Sequence, residues 1–167
     1  QGEGNQALNG PKLAGQQAWY IERQLRYFKQ GVRGGDGDTQ GAVMAPMANT
    51  LADDNAIRNM AAYIASLPDT PAPTTVTGDI ANGGKIYATN CAACHLDDAT
   101  GTWYTDAPSL RGMSDWYFVT QISNFRAGIR GLHPSDDYGE QMVSMATAMS
   151  GLEEIQDVAA YINSISN

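Results

Sequence analysis

Cysteine and histidine are scarce in this chain, with two of each among 167 residues. Two cysteines cannot build a disulfide framework, so a small domain stapled by several bridges is excluded. Basic residues are few: ten Lys and Arg against eighteen Asp and Glu leave a formal net charge of −8. Such a balance cannot release counterions from nucleic acid, and it suits a partner with a basic surface instead. No apolar run reaches the roughly eighteen residues that would cross a bilayer. No charged-then-apolar leader opens the chain, so a mature or trimmed product is expected. Alternating strand patterns are rare. What is present is ample core material: 43% apolar residues, with three Trp, eight Tyr and three Phe, argue against a disordered chain. The length allows one large domain or two small ones.

An internal repeat decides between them. Pro11–Gly34 (PKLAGQQAWYIERQLRYFKQGVRG) aligns with Pro108–Gly131 (PSLRGMSDWYFVTQISNFRAGIRG) at ten identities in twenty-four positions, among them Trp19/Trp116, Tyr20/Tyr117, Gln24/Gln121, Phe28/Phe125 and Arg33/Arg130. After a one-residue shift the match resumes. Met44 faces Met142, Met47 faces Met145, and Ala61-Ala62-Tyr63-Ile64 faces Ala159-Ala160-Tyr161-Ile162. The chain is therefore a tandem duplication. Its expected division is 1–68, a Pro- and Thr-rich linker over 69–79 that should be extended and stiff, and 80–167.

Each copy reads as helical. Ile57, Met60, Ala61, Ile64 and Leu67 form one helical stripe, as do Leu152, Ile155, Val158, Ala159, Ile162 and Ile165. Ser150 with Glu153 has capping-box spacing. Trp19–Gln30 and Trp116–Ala127 predict helices that stop at Gly31 and Gly128. The expected class is all-α, twice.

One motif carries chemistry: Cys91-Ala92-Ala93-Cys94-His95. Thiols at this spacing add across the two vinyl groups of a haem, which leaves the adjoining His95 to bind the iron through a neutral imidazole nitrogen. A thioredoxin-like redox pair would need a βαβ setting, of which there is no sign. A structural zinc site would need about four ligands, and only His133 remains as a further Cys or His. The sixth ligand must come from elsewhere. Met142, Met145 and Met149 cluster after a flexible, polar loop and before the last helix, and spacing alone does not choose among them. A thioether opposite the imidazole would favour ferrous iron.

Gly83 and Tyr87 before the motif, Pro108-x-Leu110-x-Gly112 after it, and a Met seven residues ahead of the last helix together resemble a class I bacterial cytochrome c. With Pro11-Lys12-Leu13-Ala14-Gly15-Gln16 in the first copy, the chain is similar to the tandem dihaem cytochromes of the cytochrome c4 group. The resemblance implies two cytochrome c-like domains. It places Met142 at the axial position, with Met44 as its counterpart if a first haem is present, and Met145 packed beneath the ligand loop. It makes Pro108 the residue whose carbonyl orients His95.

The first copy departs from that pattern, having neither Cys nor His. Gln1-Gly2-Glu3-Gly4-Asn5 looks like the stretch that follows a haem-binding histidine. The first domain thus lacks its N-terminal helix and haem motif, and Ile57, Met60, Tyr63 and Ile64 should be left uncovered. A fragment of a longer product, or completion by another chain, is expected over a degenerate half. One covalent haem c is expected, and a second only if an upstream motif or another chain supplies it. Arg33 and Arg130 suit haem propionates or plain surface positions. His133 suits a solvated loop better than a ligand role with Asp136 or Asp137.

The resemblance implies electron transfer by a His/Met-ligated haem, in a periplasmic or membrane-tethered carrier, and the acidic charge suits redox partners with a basic docking surface. Alternatives are the cytochrome tail of a terminal oxidase subunit II, the cytochrome subunit of a periplasmic dehydrogenase and, in another class, a peroxidase.

Overall fold

The computed structural model describes residues 1–166, and every regular element among them is helical. The first copy holds α1 (Ala18–Lys29), α2 (Met44–Asn49) and α3 (Asp54–Ala65). The second holds α4 (Ile80–Asn90), the single turn α5 (Ala92–His95), α6 (Asp115–Arg126), α7 (Asp137–Ala148) and α8 (Leu152–Ser166). The repeat pairs α1 with α6, α2 with α7 and α3 with α8; α4 and α5 have no counterpart among the described residues.

The helix ends follow local chemistry. Gly31 and Gly128 adopt left-handed φ of +74° and +70°. Their N–H groups bond Phe28 and Phe125, while Val32 and Ile129 bond Tyr27 and Asn124. This paired closure satisfies the last carbonyls of α1 and α6 and needs a residue that tolerates positive φ. Asp53, Asp79 and Asp136 cap α3, α4 and α7. The reach-back expected of Glu153 at α8 belongs instead to Glu154, whose carboxylate accepts from the Ser150 N–H at 2.7 Å. With Gly151 inserted before the helix, it is the fifth residue that faces the exposed donor.

The second copy has the larger core: Tyr87, Leu110, Phe118, Ile122, Phe125, Met149, Ile155, Val158 and Ile162 are buried together. Its centre is the crossing of α4 over α8. A Cβ on Gly83 would lie 2.0 Å from the Asp157 carbonyl oxygen, so only glycine permits this approach. One turn on, the Tyr87 and Tyr161 rings meet at 5.3 Å. The first copy packs Ile21 and Leu25 of α1 against Ile57, Ala61 and Ile64 of α3.

This packing corrects one expectation. Ile57 and Ile64 are not bare, because α1 covers them (2% and 9% exposed). Only the opposite face of α3 is bare. Met60 and Tyr63 are 39% and 54% exposed, whereas Val158, which takes the place of Met60 in α8, is fully covered by α4 (0%). Local opening of α3 therefore costs less than opening of α8. Amide exchange should show weaker protection over 57–67 than over 155–165; equal protection would mean that another surface covers the α3 face in solution.

Residues 69–79 carry no regular element but are pinned rather than free. Lys12 ties Asp69 to the Gly112 carbonyl. Asp115 accepts from the Thr75 hydroxyl at 2.6 Å and from the Thr75 and Val76 amides at 2.7 and 2.9 Å. Burial alone would raise the Asp115 carboxyl, but these bonds outweigh it and hold it below the usual carboxylate range.

Candidate haem site

At its C-terminal end α4 runs directly into α5. The Tyr87 carbonyl accepts from the Cys91 N–H at 2.8 Å, and the Cys91 carbonyl accepts from Cys94 and His95 at 3.1 and 2.9 Å. One helical turn thus gathers Cys91, Cys94 and His95. Leu96 at φ +65° ends the turn, and Tyr87 fixes the exit by donating its hydroxyl to the Leu96 carbonyl at 2.7 Å. The chain then loops back, with Gly101 N–H on the His95 carbonyl at 2.9 Å. A Cβ on Gly101 would lie 2.4 Å from the Ala107 and Pro108 carbonyl oxygens, so the glycine lets Pro108 come close to His95.

The result is a 2.9 Å contact between His95 Nδ1 and the Pro108 carbonyl. A carbonyl only accepts, so Nδ1 carries the proton and Nε2 keeps its lone pair. Burial pushes the imidazole pKa down, against a smaller opposing effect of the Pro108 bond, and keeps the ring neutral. Burial also pushes the Cys91 thiol up to about 12. A thiol that hard to ionise is a poor candidate for a thiolate redox pair.

These groups open on a cavity of about 130 Å³. One wall is apolar, formed by Leu110, Met113, Phe118, Ile122, Phe125 and Met149. Met142 and Met145 come from α7, and Tyr20, Arg23, Gln24 and Tyr27 reach in from the first copy. The three methionines differ in setting. Met149 is buried (3% exposed), Met142 is half-buried, and Met145 is 41% exposed on the cavity rim. Met145 therefore does not pack beneath a loop. Residues 137–148 are helix rather than loop, so Met142 and Met145, one turn apart, lie on the same side of α7 and both line the cavity, Met145 at its open edge. Met44 is half-buried at the start of α2, in a copy that contains no Cys or His.

Sequence reasoning missed the polar wall. Arg33 and Arg130 are buried (6% and 9% exposed), not surface residues, and they bridge the copies with near-twofold symmetry. Arg33 donates to Gln24 at 2.7 Å and Gln121 at 3.1 Å; Arg130 donates to Gln121 at 2.8 Å, Gln24 at 3.1 Å and Tyr20 at 3.1 Å. Burial would raise the Tyr20 hydroxyl pKa, but the Arg130 and Arg33 charges outweigh it and pull it down. The signal was available, since all three pairs are polar identities of the repeat. His133 is an exposed loop residue that accepts from the Ser135 N–H at 3.1 Å, while Asp136 turns inward to cap α7.

The residues present fit a haem. An apolar slot adjoins two thiols and a neutral imidazole. In the same wall, Arg130 Nε is buried without a hydrogen-bond partner, a donor suited to a carboxylate.

An all-helical tandem with Cys-Ala-Ala-Cys-His on one turn defines a c-type cytochrome, and the cytochrome c family profile matches residues 1–68 and 80–166: the chain belongs to that family. It is of the tandem, cytochrome c4-like type. Cytochrome c4 of Azotobacter vinelandii is 28% identical over 98% of this chain and 80% of its own. The thiosulfate dehydrogenase electron acceptor of Stutzerimonas stutzeri (strain A1501) is 31% identical over 97% of this chain and 74% of its own. The structure of Acidithiobacillus ferrooxidans cytochrome c4 superposes with a TM-score of 0.75 at 27% identity, covering 92% of this chain and 87% of that one. The chain is accordingly an electron-transfer protein with a covalent haem c, for which Cys91 and Cys94 form the single attachment motif.

Proposed function

We propose that Cys91 and Cys94 would hold the haem by thioether bonds, that His95 Nε2 and the Met142 sulfur would bind its iron, and that Pro108 positions His95. When bound, haem c supplies reversible one-electron chemistry at iron. The chain's own groups set the rest: Pro108 fixes the tautomer and orientation of His95, and the apolar wall excludes water and favours the ferrous state. With His95 and Met142 both committed to the iron, peroxide or another substrate would first have to displace one of them. This supports a carrier over an enzyme. The observation that carries the reading is the 2.9 Å His95–Pro108 contact beside the two thiols and facing the Met142 cavity.

The finer reading is a periplasmic carrier, divided as 1–68, a linker over 69–79 and 80–167, that docks on basic redox proteins. A net charge of −8 supports the charge sign of the partner. No helix among the described residues is long and apolar enough to cross a membrane. A second reading, the electron acceptor of a dehydrogenase, is favoured by the similarity to the Stutzerimonas stutzeri protein along almost the whole chain.

Denaturing extraction of the holoprotein with acidified organic solvent should leave the haem on the polypeptide, with intact mass showing one haem added. Free haem in the organic phase would overturn the thioether assignment.

A further inference from the structure

We propose that the stacked pair Trp103–Tyr104 is the contact point for the basic redox partner, receiving that protein's Lys or Arg side chains on its open ring faces; this rests on the carrier reading above. The rings lie 3.9 Å apart at 27°, and are 63% and 77% exposed. They sit at the tip of a hairpin closed by the Thr102–Ala107 bridge, with bonds of 2.8 and 3.1 Å. The hairpin is braced against the haem motif, since the Thr105 hydroxyl donates to the Cys94 carbonyl at 2.8 Å and the Gly101 amide to the His95 carbonyl at 2.9 Å.

The first copy shows that the hairpin does not need these rings. It builds the same turn with an Asn5–Gly10 bridge, and puts Gln6 and Ala7 where the second copy has Trp103 and Tyr104. The aromatic pair is thus found only in the copy that carries the Cys91–His95 motif. Large rings held open to water add nothing to folding, but they offer rigid area at small entropic cost to a docking surface. The charge around them selects the occupant. Residues 94–106 contain Asp97, Asp98 and Asp106 and no Lys or Arg; Arg23 of the first copy already pairs with Asp106 at 3.0 Å, which leaves the exposed Asp97 and Asp98 to attract a cation. A cation settling on the rings gains from both the ring faces and the carboxylates. An exposed Trp–Tyr pair also suits a lipid headgroup layer, but the same carboxylates would repel an anionic leaflet, so a protein is favoured. At this contact one electron leaves ferrous iron of this chain and reduces ferric iron of the partner.

The test uses the holoprotein, with a lysine-rich monohaem cytochrome c as the probe and a small inorganic oxidant as control. The W103A/Y104A double variant should lose about tenfold or more in the second-order rate with the cytochrome. Its potential and its rate with the small oxidant should not change. The W103F/Y104F variant, which keeps the ring faces, should stay within about twofold of the parent. Unchanged cytochrome rates in W103A/Y104A overturn the proposal, as does an equal fall with both oxidants. Binding of the parent to phosphatidylserine vesicles that the double variant loses also overturns it, in favour of a membrane contact. Absence of any salt dependence in the parent's rate overturns the basic-partner reading itself, whatever the variants do.

Discussion

Met142→Ala should abolish the weak sulfur-to-iron absorption band at the red edge of the ferric spectrum. It should also admit exogenous ligands such as imidazole and lower the potential. The fall should be on the order of 0.1–0.3 V, within the roughly 0.8 V range that axial ligation spans. The expectation rests on the half-buried thioether of Met142 facing the cavity that His95 lines from the motif side. Met145→Ala is the control. Its side chain is 41% exposed at the rim, so the band should persist and stability should change by less than about 1 kcal/mol. If the Met145 variant loses the band and the Met142 variant keeps it, the ligand lies one helical turn further along α7.

The second large effect is structural. Gly83→Ala places a methyl group 2.0 Å from the Asp157 carbonyl oxygen, which is helix backbone and cannot swing aside. The α4–α8 crossing must open, at a cost of about 3 kcal/mol or more. At about 2–4 °C per kcal/mol for a protein of this size, the midpoint should fall by roughly 10 °C. Gly84→Ala separates this clash from helix propensity. Its methyl group would lie 3.1 Å from the Tyr161 ring, a side chain that can shift, and alanine gains about 1 kcal/mol over glycine within a helix. Near-neutral behaviour is expected there. Thermal unfolding of both holo variants decides the matter, and a stable Gly83→Ala protein would mean that the crossing is looser than the structure has it.

Much of the fold was legible because it rests on local rules. Helix periodicity, the Gly31 and Gly128 stops and the repeat itself are statements about neighbours in sequence, and the structure follows them closely. The haem motif was legible for the same reason: Cys91, Cys94 and His95 lie on one helical turn, so their spacing is their geometry. The misses involve residues far apart in the chain. Ile57 and Ile64 seemed bare because the stripe of α3 does not reveal that Ile21 and Leu25 of α1 will cover it. Met145 seemed buried because a loop was expected where α7 is helical.

By itself the sequence determined an acidic, duplicated, all-helical chain with one covalent haem attachment turn, because composition, repetition and short-range spacing need no partner to be read. Only the tertiary structure decided that Met142, Met145 and Met149 all border one cavity with His95, to different degrees of burial. It also decided that Arg33 and Arg130 are buried between the copies. Neither sequence pattern nor residue type fixes the burial of a charged side chain. That depends on whether another segment supplies hydrogen-bond acceptors where water is excluded, and here Gln24, Gln121, Tyr20 and Tyr117 do so from both copies.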